Sequence, residues 1–262
     1  MTKKRTSRFP TVYLAAITAL MYLPIIFLMI YSFNGSRISS IWGGFSLQWY
    51  KDLFRDAAIG KALLNSLILA TLSSVCAGII GTLGAIGTAR TKFKGAGVME
   101  YISTLPMMTP EIILGMVFLA FFALLGLPFG MTTLVIGHTA FCIPYVFMQV
   151  KARLVGMDKS YEEAARDLGA GPVRVFFDIT LPLIMPAIMS GMLLSFAMSL
   201  DDVIISVFVT GVNTNTLPII IYTQLKTGVT PKINALCTLM FFATLVLVFL
   251  SSAIGRIGNK KG

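Results

Sequence analysis

The chain has 262 residues, of which 56% are hydrophobic and only 12% charged, and it carries a net charge of +10. Soluble domains hold roughly 25% charged residues, and here the charges are missing from long stretches, so a bilayer-embedded chain is expected and a large soluble core is excluded. The basic excess does not call for nucleic acid, because its distribution follows the expected membrane topology.

Runs of about 20 apolar residues are long enough to cross the hydrocarbon. Six are predicted, at residues 11–33, 62–89, 101–127, 131–150, 187–211 and 234–255. No polar segment is long enough for a second domain, so residues 1–262 are expected to form one all-α polytopic domain with a polar loop at 151–186. The first run is too long for a removed signal peptide and lacks a small-residue cleavage site, so it is expected to stay as an anchor. With the N-terminus in the cytoplasm, fifteen of the 21 Lys and Arg residues fall inside. These are Lys3, Lys4, Arg5, Arg8, Arg90, Lys92, Lys94, Lys151, Arg153, Lys159, Arg166, Arg174, Arg256, Lys260 and Lys261. Outside remain Arg37, Lys51, Arg55, Lys61, Lys226 and Lys232. That asymmetry is the positive-inside pattern, and it places both termini in the cytoplasm.

After the first span, residues 48–54 suit a short external helix that meets a soluble partner. Tyr13, Trp42, Trp49 and Tyr50 read as an interfacial belt. In the third span, Pro106 and Pro110 are expected to break the helix and leave Glu111 at the start of the second half. There its carboxylate favours the positive dipole end, as a local cap or as a lining of a pathway. Asn65, Tyr145 and Gln149 read as polar glue between helices. Cys76, Cys142 and Cys237 have no paired or metal-ligand spacing and read as packing residues. His138 is the single histidine, expected to pack or hydrogen-bond. No nucleophile elbow occurs, nor a phosphate-binding loop of the Gly-x-x-x-x-Gly-Lys-Ser/Thr type. No catalytic, metal or cofactor site is therefore expected in this chain.

Between the fourth and fifth spans, residues 151–185 hold ten of the 32 charged residues. Ser160 and Glu163 have capping-box spacing, and Glu162 and Arg166 are i,i+4 partners. Ala164, Ala165 and Leu168 form a low apolar strip, and Gly169 suits a left-handed helix end. Pro172 fits the first turn of a second short helix carrying Val173, Val175, Phe176 and Phe177. Pro182 and Pro186 are expected to redirect the chain into the fifth span. About fourteen residues along that span, roughly 20 Å at 1.5 Å per residue, come Asp201 and Asp202. Ionisable groups at such depth are costly and are functional candidates by default. Adjacent helical positions point about 100° apart, so one is expected to line a pathway and the other to brace helices. Two carboxylates there suit a cation.

The run Glu163-Ala-Ala, then Gly169, then Ile179-Thr-Leu-Pro182 resembles the EAA loop of bacterial ABC importer permeases. Tyr31-Ser-Phe-Asn34, Trp49-Tyr50, His138-Thr-Ala-Phe-Cys142, Asp167-Leu-Gly-Ala170 and Ser199-Leu-Asp-Asp-Val203 are similar to the polyamine (spermidine/putrescine) branch of that family. So are Val209-Thr-Gly211, Leu217-Pro218 and Gly228-Val-Thr-Pro-Lys-Ile-Asn-Ala235. The resemblance covers nearly the whole chain and implies a type I importer permease fold in a bacterial cytoplasmic membrane. It also implies a paralogous permease, a homodimeric ATPase that binds the ATP and Mg, and an extracytoplasmic polyamine-binding protein. On this resemblance Ser160, Glu162, Glu163, Ala164, Ala165, Leu168 and Gly169 couple to the ATPase; by their depth and charge Asp201, Asp202 and Glu111 are the candidates for the substrate pathway, one of the two aspartates lining it. Another small solute, or a self-sufficient secondary transporter, remains the alternative.

Overall fold

Apolar chain in hydrocarbon has no water to satisfy its peptide groups, so each span must satisfy them internally as a helix. The computed structural model describes residues 9–37, 41–90 and 94–259. Among these the chain is all-α, with one isolated antiparallel bridge between Asn34 and Phe45. Lys3, Lys4, Arg5, Arg8, Lys92, Lys260 and Lys261, used above for topology, lie outside the described residues.

The helices in order are α1 (Phe9–Tyr31), α2 (Gln48–Arg55), α3 (Ala57–Arg90), α4 (Ala96–Met108), α5 (Glu111–Leu124) and α6 (Met131–Val155). Then follow α7 (Ser160–Asp167), α8 (Pro172–Val175), a π-helical turn (Phe176–Thr180), α9 (Leu181–Asp201), α10 (Ile204–Val209), α11 (Leu217–Thr227) and α12 (Pro231–Asn259). Four stretches are long and apolar enough to cross a membrane: Thr11–Tyr31, Ala57–Arg90, Met131–Val155 and Pro172–Asp201. A fifth, α4 with α5, qualifies only as a pair bent by 107°, and α12 begins with the shorter apolar segment Pro231–Val246.

Three expectations need correction. The run 101–127 breaks ahead of Glu111 as expected, into two helices bent by 107°, but Pro106, expected to share in the break, lies inside α4. Thr109, the residue before Pro110, is held extended at φ −90°, ψ 133°, as the proline ring requires of its predecessor. The run 187–211 is likewise split: Asp202 is extended at φ −68°, ψ 129°, between α9 and α10. Conversely, Pro182 and Pro186 do not redirect the chain, which runs helically from Pro172 to Asp201. Pro182 stands directly after a π-helical turn, at the start of α9. The preceding π-turn is closed by the Leu181 N–H on the Phe176 carbonyl.

The chain forms two compact units, Met1–Ala57 with Thr223–Ala243, and Ala58–Tyr222 with Thr244–Gly262. In the first, fully buried Asn34 organises the segment after α1. Its Oδ1 accepts the N–H groups of Gly43 (2.7 Å) and Ser36 (3.1 Å), and its Nδ2 donates to the Ile41 carbonyl (2.8 Å). The indole of Trp49 donates to the Asn34 carbonyl at 2.6 Å, and the Tyr50 hydroxyl pairs with Ser32 at 2.7 Å. Trp49 and Tyr50, expected in an interfacial belt and within a short external helix, thus seat α2 against the end of α1. Lys232 at the start of α12 donates to Asp56 at 2.6 Å.

The second unit contains a hydrophobic core built on α6, whose Leu134, Val146, Phe147 and Val150 are fully buried or nearly so. Small residues let helices approach closely where no water-driven force separates apolar surfaces from lipid. A Cβ on Gly191 of α9 would lie 2.9 Å from the Val146 Cα, and one on Gly81 of α3 3.0 Å from the Phe147 nitrogen. Asn65, expected to join helices, instead donates from α3 to the Asn215 carbonyl in the segment between α10 and α11, at 3.0 Å.

Candidate functional site

The polar loop folds as the local sequence dictates at its end and not at its start. Gly169 adopts φ +85°, the left-handed conformation that glycine takes without strain. It closes α7 as a Schellman motif: the Ala170 N–H reaches the Ala165 carbonyl (3.0 Å) and the Gly169 N–H the Arg166 carbonyl (2.8 Å). Pro172 then opens α8. At the start of α7 the capping box between Ser160 and Glu163 does not form. Asp158 Oδ1 instead accepts the Ser160 N–H at 2.9 Å, and this backbone hydrogen bond holds its carboxyl below the usual carboxylate range. In a capping box that N–H would go to the Glu163 carboxylate; Asp158, two residues before Ser160, takes it instead.

Glu163 and Ala164 are exposed along α7, Ala165 is half-buried, and Leu168 is 90% exposed at its end. Val173 and Phe177 are also exposed. A cavity of about 260 Å³ opens beside them, lined by Ala165, Leu168, Gly169, Ala170 and Val175 among others. Exposed apolar groups clustered on a polar loop mark a contact surface.

Glu162 departs from the expected pattern. It was expected on the docking face but is buried. The i,i+4 contact with Arg166 exists at 3.6 Å, yet the nearer partner is Arg90 at the end of α3, with Nη2 2.6 Å from Glu162 Oε1. The Nε and Nη2 of Arg90 have no aligned acceptor among the described residues, so charge attraction rather than a directed hydrogen bond carries that contact. The Thr180 hydroxyl donates to the same Oε1 at 2.8 Å. The charge of Arg90 was legible in the sequence; its pairing across the fold was not.

At the intramembrane break the two aspartates part company, and not by the 100° offset of a continuous helix. Asp201 ends α9 and is exposed, whereas Asp202 is buried. Asp202 caps α10: Oδ1 accepts the Ile205 N–H (3.3 Å), and Oδ2 accepts both the Ser206 N–H (2.9 Å) and the Ser206 hydroxyl (3.0 Å). These bonds supply acceptors for donors that a helix start leaves orphaned. Fully buried His138 on α6 lies with Nε2 3.3 Å from Asp202 Oδ2 and 2.9 Å from Ser206 Oγ. Its Nδ1 pairs with Ser199 Oγ at 2.8 Å, and Ser199 Oγ lies 3.0 Å from Ser73 Oγ on α3. The serines of this network carried no sequence signal by themselves. Cys142, another α6 residue, is a buried packing group whose thiol donates to the Ser195 carbonyl at 3.4 Å.

Glu111 is the first residue of α5 and is half-buried, at the helix start where the sequence placed it. Helix α5 packs along α10, so the breaks that hold Glu111 and Asp202 sit on neighbouring helices. Gly115 of α5 packs against the Phe208 ring of α10.

Residues 77–261 match the family described as "Binding-protein-dependent transport system inner membrane component". The spermidine/putrescine transport system permease protein PotC of Haemophilus influenzae is 41% identical over 247 residues, which are 94% of this chain and 96% of that one. The putrescine transport system permease protein PotI of Escherichia coli K12 is 42% identical over 238 residues, covering 88% and 85%. Among solved structures, a chain of a bacterial ABC transporter that imports the acidic polysaccharide alginate superposes with a TM-score of 0.75 at 16% identity, over 97% of this chain and 99% of that one. A chain of the inward-facing MetNI methionine ABC transporter gives a TM-score of 0.60 at 18% identity, over 82% and 96%. These two share the fold. The chain belongs to the family of inner-membrane components of binding-protein-dependent transport systems, and its fold is that of an ABC importer permease.

Proposed function

We propose that this protein is the membrane-spanning permease subunit of an ATP-driven polyamine importer, taking spermidine, putrescine or both. The observation that carries the reading is the 41% identity to a spermidine/putrescine permease over 94% of the chain. The chain is not itself an enzyme. In this account a PotA-like homodimeric ATPase binds ATP and Mg and hydrolyses the nucleotide, and a PotB-like permease completes the pathway. A PotD-like extracytoplasmic protein delivers the substrate.

The whole chain works as one permease domain, with both termini in the cytoplasm. Helix α7 and the exposed Leu168 dock in the ATPase, with Glu163, Ala164, Ala165 and Gly169 forming the short seat. ATP binding and hydrolysis move that seat and convert an inward-open pathway to an outward-open one. The exposed carboxylate of Asp201 faces the pathway and attracts an ammonium group, and Glu111 lines it from the start of α5. Asp202 holds the break in shape. Charge at such depth is costly, which supports a role for Asp201 toward a cation.

Purification tests this reading. The membrane complex isolated through a tag on this chain should carry an ATPase, and uptake into liposomes should require that ATPase and external binding protein. Polyamine uptake by this chain alone would instead identify a secondary transporter.

A further inference from the structure

Glu162 is the one residue of α7 that turns away from the exposed face. Tyr161, Glu163 and Ala164 around it are exposed, while Glu162 retains 6% of its surface. Three groups reach its carboxylate: Arg90 from the end of α3 at 2.6 Å, Thr180 from the π-turn beneath α9 at 2.8 Å, and Arg166 one turn along α7 at 3.6 Å. A buried carboxylate persists only where it is paired and hydrogen-bonded, so this position is built for its partners and not for solvent or docking.

The geometry has a mechanical reading. Eight residues of helix are marginal alone, and α7 packs mainly against α8 and the π-turn. Its polar bond to the second span is the Arg90–Glu162 pair; its polar bond to the foot of the fifth is Thr180–Glu162. One carboxylate thus ties α7 to two spans at once. Arg90, Lys159 and Arg166 also line a cavity of about 330 Å³ with Glu162 and Glu163. The three cations there outnumber the two carboxylates, and of the two only Glu162 is paired with Arg90.

Resting on the reading that α7 docks on an ATPase, we propose that Glu162 is a positioning residue that transmits displacement of α7 to α3 and α9, and not a docking contact. Without its charge, α7 still presents Glu163, Ala164 and Leu168, but it rocks on its seat without carrying the spans along.

The test uses the complete importer reconstituted in liposomes with its ATPase and binding protein, measuring polyamine moved, ATP hydrolysed and ATPase retained. Glu162→Gln and, separately, Arg90→Gln should retain the ATPase, and polyamine moved per ATP should fall by about fivefold or more, the lower end of typical site-to-site coupling. The exchanged pair, Arg90→Glu with Glu162→Arg, should recover part of that ratio. If Glu162→Gln fails to assemble, Arg90→Gln decides, because it lies outside the docking helix. An unchanged ratio in Arg90→Gln overturns the proposal. Loss of the ATPase from Glu162→Gln, with Arg90→Gln normal, also overturns it and makes Glu162 a docking residue. A wild-type complex that holds no ATPase defeats the docking reading itself and this proposal with it.

Discussion

His138 Nε2 lies 3.3 Å from Asp202 Oδ2, and both groups share the hydroxyl of Ser206, at 2.9 and 3.0 Å. This contact joins α6 to the break between α9 and α10 through two buried side chains. It separates two adjacent aspartates into different roles, which makes the assignment measurable.

Asp201→Asn keeps size and hydrogen bonding and removes the charge. Uptake at limiting polyamine should fall about tenfold or more, since hydrogen bonds to charged groups contribute about 1.5–3 kcal/mol, with thermal stability of the purified complex unchanged. His138→Phe should do the reverse, leaving the buried Asp202 carboxylate short of a partner and lowering stability by about 1–3 kcal/mol. Thermal unfolding beside uptake assays checks both. A stable, uptake-defective His138→Phe alongside a fully active Asp201→Asn would contradict the division.

Glu111→Gln separates a helix cap from a cation site. The carboxylate interaction with the helix start contributes about 0.3–1 kcal/mol, so a cap should tolerate the change with a small loss of stability. Polyamine uptake that drops as far as in Asp201→Asn would instead place Glu111 at the substrate.

Gly169→Leu forces a branched side chain into φ +85°. A left-handed residue other than glycine costs roughly 1–2 kcal/mol, and open space around Gly169 means strain rather than collision within this chain. Membrane insertion should survive while substrate-stimulated ATP hydrolysis, or retention of the ATPase, is lost. Normal transport at normal expression would remove α7 from the docking role.

The charge distribution predicts which loops are reachable. Cysteine tags at residues 41–55 and 215–230 should react with an impermeant reagent applied outside the cell, and tags at residues 94–98 and 155–175 should be protected. Labelling in the opposite order would invert the topology and take the coupling assignment with it.

What was legible in the sequence was what local backbone chemistry decides. Gly169 and Pro172 set the turn between α7 and α8 because left-handed φ and a missing N–H are properties of single residues. Pro110 marked the bend before Glu111 for the same reason. The capping box at Ser160 failed because the competitor, Asp158, stood two residues outside the motif. The break at Asp202 carried neither proline nor glycine, so a helical period looked uninterrupted; the cause is a carboxylate that caps the next helix. The burial of Glu162 was hidden because Arg90 and Thr180 are neighbours only after folding. Patterns of one residue type along one helix cannot report which charges will meet across several.

The central claim, polyamine import through this permease, is tested most directly by a competition panel. The measurement is uptake of labelled spermidine and putrescine by the complex with its binding protein, challenged with spermine, ornithine and phosphate. Saturable, ATP-dependent uptake of a polyamine, displaced by other polyamines and unaffected by phosphate, is the predicted result. ATP-dependent uptake of ornithine or phosphate with no uptake of either polyamine would contradict it.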